Sequence, residues 1–102
     1  MASRSANVAN NNQGAPGQGG GIIVFASRNN YLRANIANRN QDVGIAVFEN
    51  SPGDAAGNQL TANRAYRNHA HGIDAVQGTR DGGHNTAHHN TPLPDCLGVV
   101  CS

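Results

Sequence analysis

An asparagine phrase spelled four times constrains this chain more than any other feature of its 102 residues. The phrase begins at Asn7, Asn35, Asn63 and Asn85; its third residue is Ala9, Ala37, Ala65 or Ala87, and its sixth is Asn12, Asn40, Asn68 or Asn90. Asparagine is a poor former of helices and of strand interiors, so its regular return marks a corner visited once per structural repeat. A second element follows each phrase: GIIVF from Gly21, GIAVF from Gly44, GIDAV from Gly72 and GVVC from Gly98. In the first and last copies GAPGQG and TPLPD intervene, and both read as turns. Asn35 to Asn63 spans 28 positions and Asn63 to Asn85 spans 22, the difference being the insertion SPGDAAG. The period is therefore about 22 residues, with loops let out at corners.

Short apolar alternations between such corners predict coiled strands. Ile22 and Val24 face inward while Ile23 and Phe25 face outward or toward a neighbouring surface. Ile45 and Val47 repeat the inward pair, then Ile73 and Ala75, then Val99 and Cys101. A fully buried strand also accommodates IIVF, which leaves the direction of Phe25, Phe48 and Val76 open. Helix competes over residues 31 to 38 and 60 to 68, but Leu32, Ala34 and Ile36 are spaced by two, as are Leu60 and Ala62, and the asparagines oppose a continuous helix. The expected core columns are Leu32 beside Leu60, Ile22 beside Ile45 and Ile73, and Ala37 beside Ala65 and Ala87.

Apolar residues make up 37% of the chain, yet there are only two Phe, two Tyr, one Met and no Trp, too few large side chains for a layered core. Fifteen asparagines and 13 glycines leave turns and side-chain hydrogen bonds to specify the backbone. The length suits one domain, residues 1–102. Seven arginines, no lysine and six acids give a net charge of +1, far from the high charge of disordered chains. That charge exerts no long-range pull on nucleic acid or an anionic membrane, so neither is expected as a partner. No window approaches the roughly 18 apolar residues of a membrane helix, and MASRSANVANNNQ lacks the apolar core of a signal peptide. The chain is expected in the cytoplasm, or at the cell surface or outside as a mature piece or by a route that reads no such signal.

The spelling N-x-L-x-x-N-x-A-x-x-N followed by G-I-x-V is carried by Asn30, Leu32, Asn35, Ala37, Asn40, Gly44, Ile45 and Val47. It returns at Asn58, Leu60, Asn63, Ala65, Asn68, Gly72, Ile73 and, with alanine substituted, Ala75. In this the chain resembles the right-handed parallel β-helix proteins of the pectate-lyase-like superfold, including NosD-like and periplasmic copper-processing relatives. The match covers roughly residues 7 to 101; the third coil departs from it, Arg80 and Gly82 standing in the places of the leading Asn and Leu. The resemblance implies an all-β fold, a right-handed parallel β-helix solenoid whose coils stack about 4.8 Å apart. Asn7, Asn35, Asn63 and Asn85 would form one ladder and Asn12, Asn40, Asn68 and Asn90 another, bonding to the next coil and tolerating a left-handed corner.

Polysaccharide-cleaving members of that superfold use clustered carboxylates, calcium and a basic residue. The acids here are Asp42, Glu49, Asp54, Asp74, Asp81 and Asp95, and no two share a column of adjacent coils, so no catalytic residue is assigned. His84 and His88 would pair on a helix but not on a coil, whereas His69 and His71 alternate and would share a strand face. With His88 and His89 they have no cysteine or carboxylate at ligand spacing, so no metal and no cofactor is assigned. Arg39 and Arg67, neighbours in one column, are expected in solvent or against an anionic partner. GQGGG lacks the Lys-Ser/Thr of a phosphate loop. Cys96 and Cys101 are spaced to close a small disulfide loop and equally to persist as two buried thiols.

A solenoid this short exposes strand edges and core at both ends, and neither NVANNNQGAPGQGGG nor PLPDCLGVVCS reads as a convincing seal. The expected function is a non-catalytic structural module that self-assembles by end-to-end stacking, into a filament if the contact repeats head to tail. The partner would be a second copy, making a homo-oligomer, or a second β-helical chain, and a charge inserted at Val8 would disturb the contact. The alternatives are a carbohydrate- or protein-binding β-helix module and a remnant of a polysaccharide-active enzyme.

Overall fold

The computed structural model describes residues 2–5, 7, 9, 10, 12, 13, 19–91 and 93–102. Its strands are β1 (Ala2–Ser5), β2 (Ile22–Phe25), β3 (Asn30–Arg33), β4 (Ile45–Phe48), β5 (Gln59–Thr61), β6 (Arg64–Tyr66), β7 (Ile73–Ala75), β8 (Arg80–Gly83), β9 (Thr86–His88) and β10 (Cys96–Leu97). They pair in parallel on three faces, in the order β1-β3-β5-β8 on the first, β6-β9 on the second and β2-β4-β7-β10 on the third. A bridge between Ile36 and Arg64 extends the second face by a coil. This is an all-β parallel β-helix, and the two segments that compete as helices lie in β3, β5, β6 and their corners.

Strand register stacks like on like. Ile22, Ile45 and Ile73 form one column, Val24, Val47 and Ala75 the next, Leu32 pairs with Leu60, and Ala65 with Ala87. Leu32, Ala37, Ile45, Val47, Leu60, Ala65 and Ile73 are completely buried, Val24 and Ala87 nearly so, and Ile22 packs half-buried against them at the first coil. Each fully buried Leu or Ile contributes roughly 1.5–3 kcal/mol, so these few columns form the apolar core. Phe25 and Phe48 stand in register on the outer side of the third face and are exposed, while Val76 packs against the core.

The asparagines divide the corner work with the residue before them. Positive φ falls on Ala34, Ala62 and His84, which precede Asn35, Asn63 and Asn85, and on Arg39, Arg67 and His89, which precede Asn40, Asn68 and Asn90. The expectation that the ladder asparagine itself turns left-handed is thereby corrected: its neighbour turns, and the asparagine bonds. In each ladder an asparagine donates both its backbone amide and its Nδ2 to the Oδ1 of its counterpart one coil later. Asn35 does so to Asn63 at 3.0 and 3.0 Å, Asn63 to Asn85 at 3.0 and 3.1 Å, and Asn68 to Asn90 at 2.9 and 2.9 Å. The other Nδ2 hydrogen reaches back to the preceding coil, from Asn63 to the Leu32 carbonyl at 3.0 Å and from Asn68 to the Ala37 carbonyl at 3.0 Å. One side chain thus clips three coils, which offsets the 1–2 kcal/mol or so of a left-handed non-glycine residue at each corner. A third, shorter ladder joins Asn30 to Asn58 in the same way.

Two expected registers are corrected. Leu60 faces Asp81 and Thr61 faces Gly83, so Asp81 and not Gly82 continues the Leu60 column; Gly82 is the extra residue of a bulge, where a Cβ would meet the Thr61 hydroxyl. On the third face Cys96 faces Ile73 and Leu97 faces Asp74, so Val99 and Cys101 do not extend the column of Ile73 and Ala75. Asp95 has taken the place of the expected glycine, its carbonyl accepting the amides of Gly72 and Ile73 at 2.8 and 3.1 Å. Val8, the insertion at residues 14–18, which takes in Gly17 and Gln18 of GQGGG, and Pro92 of TPLPD lie outside the described residues.

Candidate functional site

The two ends of the solenoid are chemically unlike. At the N-terminal end Asn7 and Asn12 donate to Asn35 Oδ1 and Asn40 Oδ1, with backbone amides at 3.1 and 3.1 Å and Nδ2 at 3.1 and 2.7 Å. Both are exposed, whereas Asn35 and Asn40 are completely buried. Their own Oδ1 atoms occupy the position that receives an earlier coil at every later rung. A hollow of about 310 Å³ beside Asn7 is lined by Gly21, Ile22 and Ile23.

At the C-terminal end an aspartate fills a rung and the chain folds back over part of the last coil, leaving a hollow of about 390 Å³ beside Ala87, Val99 and Cys101. Asn90 donates its amide and Nδ2 to Asp95 Oδ1, both at 3.0 Å, so an aspartate occupies the next rung. A carboxylate accepts as an asparagine does but has no N–H to hand on, and this ladder stops there. Asp81 does related work beside it: Oδ1 accepts from Gly83 N at 2.9 Å and from Asn85 Nδ2 at 3.4 Å, and Oδ2 from Val100 N at 2.8 Å. The chain then crosses the end. Val99, 8% exposed, joins the core cluster, Cys101 bridges in parallel to Asn85, and Ser102 N donates to the Asn85 carbonyl at 3.0 Å. A disulfide between Cys96 and Cys101 ties this crossing loop to β10.

A third feature lies outside the coil. On the outer side of the third face a cleft of about 550 Å³ is lined by Ile23, Val43 and Phe48, by Asp42 and Asp74, and by His71. The Ile45–Ile73 register creates it, by setting Val43 beside His71 across two coils and Ala46 beside Asp74. His71 Nδ1 lies 2.6 Å from the Pro94 carbonyl. A carbonyl only accepts, so Nδ1 is the donor in this contact, and in the neutral ring Nε2 is an acceptor. Neither carboxylate side chain has a hydrogen-bond or ion-pair partner among the described residues.

Other sequence candidates are dispersed. His69 is exposed and lines a separate cleft with Gln13, Arg39 and Gln41, so the expected shared face with His71 is not formed. His84 occupies a left-handed corner and His88 the exposed outer side of β9, its ring 5.3 Å from that of Tyr66. Arg39 and Arg67 are exposed at successive corners. Among the described residues no three His, Cys, Asp or Glu side chains gather as a metal site, and no helix is long and apolar enough to cross a membrane.

Column-by-column reading of the acids missed the cleft because Asp42 and Asp74 sit in different columns. The signal lay in the Ile45–Ile73 register, which carries Asp42 alongside Ala70 and Asp74 alongside Ala46. No curated protein and no solved structure matches the chain. The family model of the right handed beta helix region matches residues 1–91, and the chain belongs to that family.

Proposed function

We propose that this chain is a non-catalytic structural β-helix module that joins end-on to another β-helical coil through its N-terminal face and is capped at its C-terminal face. The direction of the ladders carries this reading. Every inner rung receives an amide and an Nδ2 from the coil before it, and Asn7 and Asn12 present the same acceptor outward. The fitting partner is a coil that offers paired amide donors, as the last coil of an uncapped β-helix does. Head-to-tail stacking of identical chains into a filament would need those donors at this chain's own C-terminal face. There Asp95 offers acceptors alone and the disulfide loop crosses the end, so joining is limited to one face while the cap is in place. The binding-module alternative rests on the outer cleft, which is independent of the ends.

Light scattering and electron microscopy on the full chain test this. The native protein is expected to be a small, size-limited species. A variant carrying Asp95→Asn, Cys96→Ser and Cys101→Ser restores a donor at the last rung and frees the crossing loop; it is expected to form longer assemblies, and adding Asn7→Lys with Asn12→Lys should abolish them. Native filaments that survive the lysine substitutions, or an opened cap that leaves the size unchanged, would sink the reading.

A further inference from the structure

The cleft on the third face has a composition that selects its occupant. Its volume of about 550 Å³ falls within the usual range for small-molecule sites. Its walls are chiefly apolar, with Ile23 45% and Phe48 38% exposed, so two large hydrophobic side chains stand open to solvent beside it. Among the described residues of the lining, the two carboxylates are acceptors, as is His71 Nε2 in the neutral ring. Asp42 and Asp74 are carboxylates with no partner among the described residues, and His71 has committed its Nδ1 proton to the Pro94 carbonyl. Among the described residues no arginine lines the cleft.

An occupant must therefore bring hydrogen-bond donors and positive charge. A neutral sugar would find acceptors for its hydroxyl protons, but no side-chain donor for its ring and hydroxyl oxygens. An anion would meet two carboxylates. A cation with an apolar body suits these walls: its charged end meets a carboxylate in charge-assisted bonds with the second carboxylate adding to the attraction, and its body covers Ile23 and Val43. Its charge also gains from the face of an aromatic ring such as Phe48. We propose that this cleft is a binding site for a small organic cation, a guanidinium or primary ammonium on an aromatic or aliphatic body, held by Asp42 and Asp74.

The test is titration of the full-length, disulfide-intact protein with 2-phenylethylguanidine, followed by amide chemical shifts. The expected result is saturable shifts confined to residues 20–23, 42–48 and 70–74. The neutral analogue 2-phenylethanol, which keeps the apolar body without the charged group, should bind at least about tenfold more weakly, and Asp42→Asn and Asp74→Asn should each weaken the guanidine by about tenfold while leaving the rest of the spectrum in place. Arg39→Gln, in the neighbouring cleft, should have no effect. N-acetyl-arginyl-phenylalanine amide separates a free cation from an arginine presented by a polypeptide. Binding of the free guanidine at least as tight as the peptide's supports the small-molecule assignment, and a clear preference for the peptide overturns it in favour of a protein partner. Equal binding of the alcohol, shifts elsewhere on the solenoid, absence of saturable shifts, or preference for a neutral oligosaccharide such as maltohexaose would each overturn the site.

Discussion

Asn90 meets Asp95 as each inner asparagine meets the asparagine one coil later: its backbone amide and its Nδ2 both donate to one side-chain oxygen, here Asp95 Oδ1 at 3.0 and 3.0 Å. The relationship is local, five residues apart, where the inner rungs span 22 or 28. The insertion TPLPD brings the chain back early and lets an acidic residue fill a position that a further coil would otherwise supply.

If acceptor geometry is what Asp95 contributes, Asp95→Asn should be mild and Asp95→Ala should not. The asparagine keeps an oxygen in place and loses only the charge assistance, about 1 kcal/mol or less. Alanine takes the acceptor from the backbone amide of Asn90, a residue only 1% exposed, and leaves its Nδ2 to the Ala65 and His88 carbonyls at 2.9 and 3.3 Å, at a cost of about 1–3 kcal/mol. Urea unfolding with the disulfide intact measures both. Equal damage from the two substitutions would mean that the negative charge, rather than the rung, matters.

The opposite exchange inside the ladder should be severe. Asn63 Nδ2 donates to Asn85 Oδ1 at 3.1 Å and to the Leu32 carbonyl at 3.0 Å, while its Oδ1 accepts from Asn35. Asn63→Asp keeps the acceptor but turns the donor into a second oxygen facing two oxygens, in a residue 1% exposed. A buried charge without a partner costs about 3 kcal/mol or more, so the variant should unfold at much lower urea or fail to fold. A midpoint within error of the native one would remove the ladder from the account of stability.

Much of this architecture is legible in the sequence because each coil repeats the same local demand. Asn35, Asn63 and Asn85 are interchangeable parts, and the apolar columns follow once their spacing is seen. The third coil and the C-terminal end are read less well, since Asp81 and Asp95 do an asparagine's accepting work under a different letter. Gly98 resembles the glycine of G-I-x-V but serves elsewhere, at φ +83, tight against the Ala75 carbonyl. The outer cleft is hidden for another reason: it depends on which column of one coil lies over which column of the next, and a single repeat does not display that.

Glycines of this chain should divide sharply on substitution. A Cβ at Gly44 would lie 2.6 Å from Asn68 Nδ2, 2.6 Å from the Gly72 carbonyl oxygen and 3.1 Å from Ala65 Cβ, atoms held in place by the ladder and by strand pairing. Gly44→Ala should cost about 3 kcal/mol or more, because backbone and ladder cannot both give way. At Gly83, with φ +88, a Cβ meets nothing within 4 Å, so Gly83→Ala carries only backbone strain of about 1–2 kcal/mol. Thermal unfolding of the two variants side by side should keep that order; the reverse would contradict the close packing of Gly44 against the ladder.

The short third ladder offers a test by repair. Asn30 donates its amide and Nδ2 to Asn58 Oδ1 at 2.8 and 3.0 Å, and the Gln59–Arg80 pairing places Thr79 at the next rung. The preceding corner is already left-handed there, at Gly78 with φ +96, as it is at Asn29 and Gly57 before the two existing rungs. Thr79 Oγ1 is buried without a partner, so the position carries an unsatisfied polar atom where the other coils carry an acceptor. Thr79→Asn supplies an Oδ1 at the reach of the Asn58 backbone amide, the Asn58 Nδ2 being already committed to the Ser27 and Ala55 carbonyls at 2.8 and 2.8 Å, and should stabilise the chain by about 1 kcal/mol for the bond gained. The expected result is a higher urea midpoint with an unchanged slope, together with slower hydrogen exchange at the Asn58 amide. An unchanged midpoint with an unprotected Asn58 amide would show that a left-handed corner and a stacked asparagine are not by themselves enough to extend a ladder.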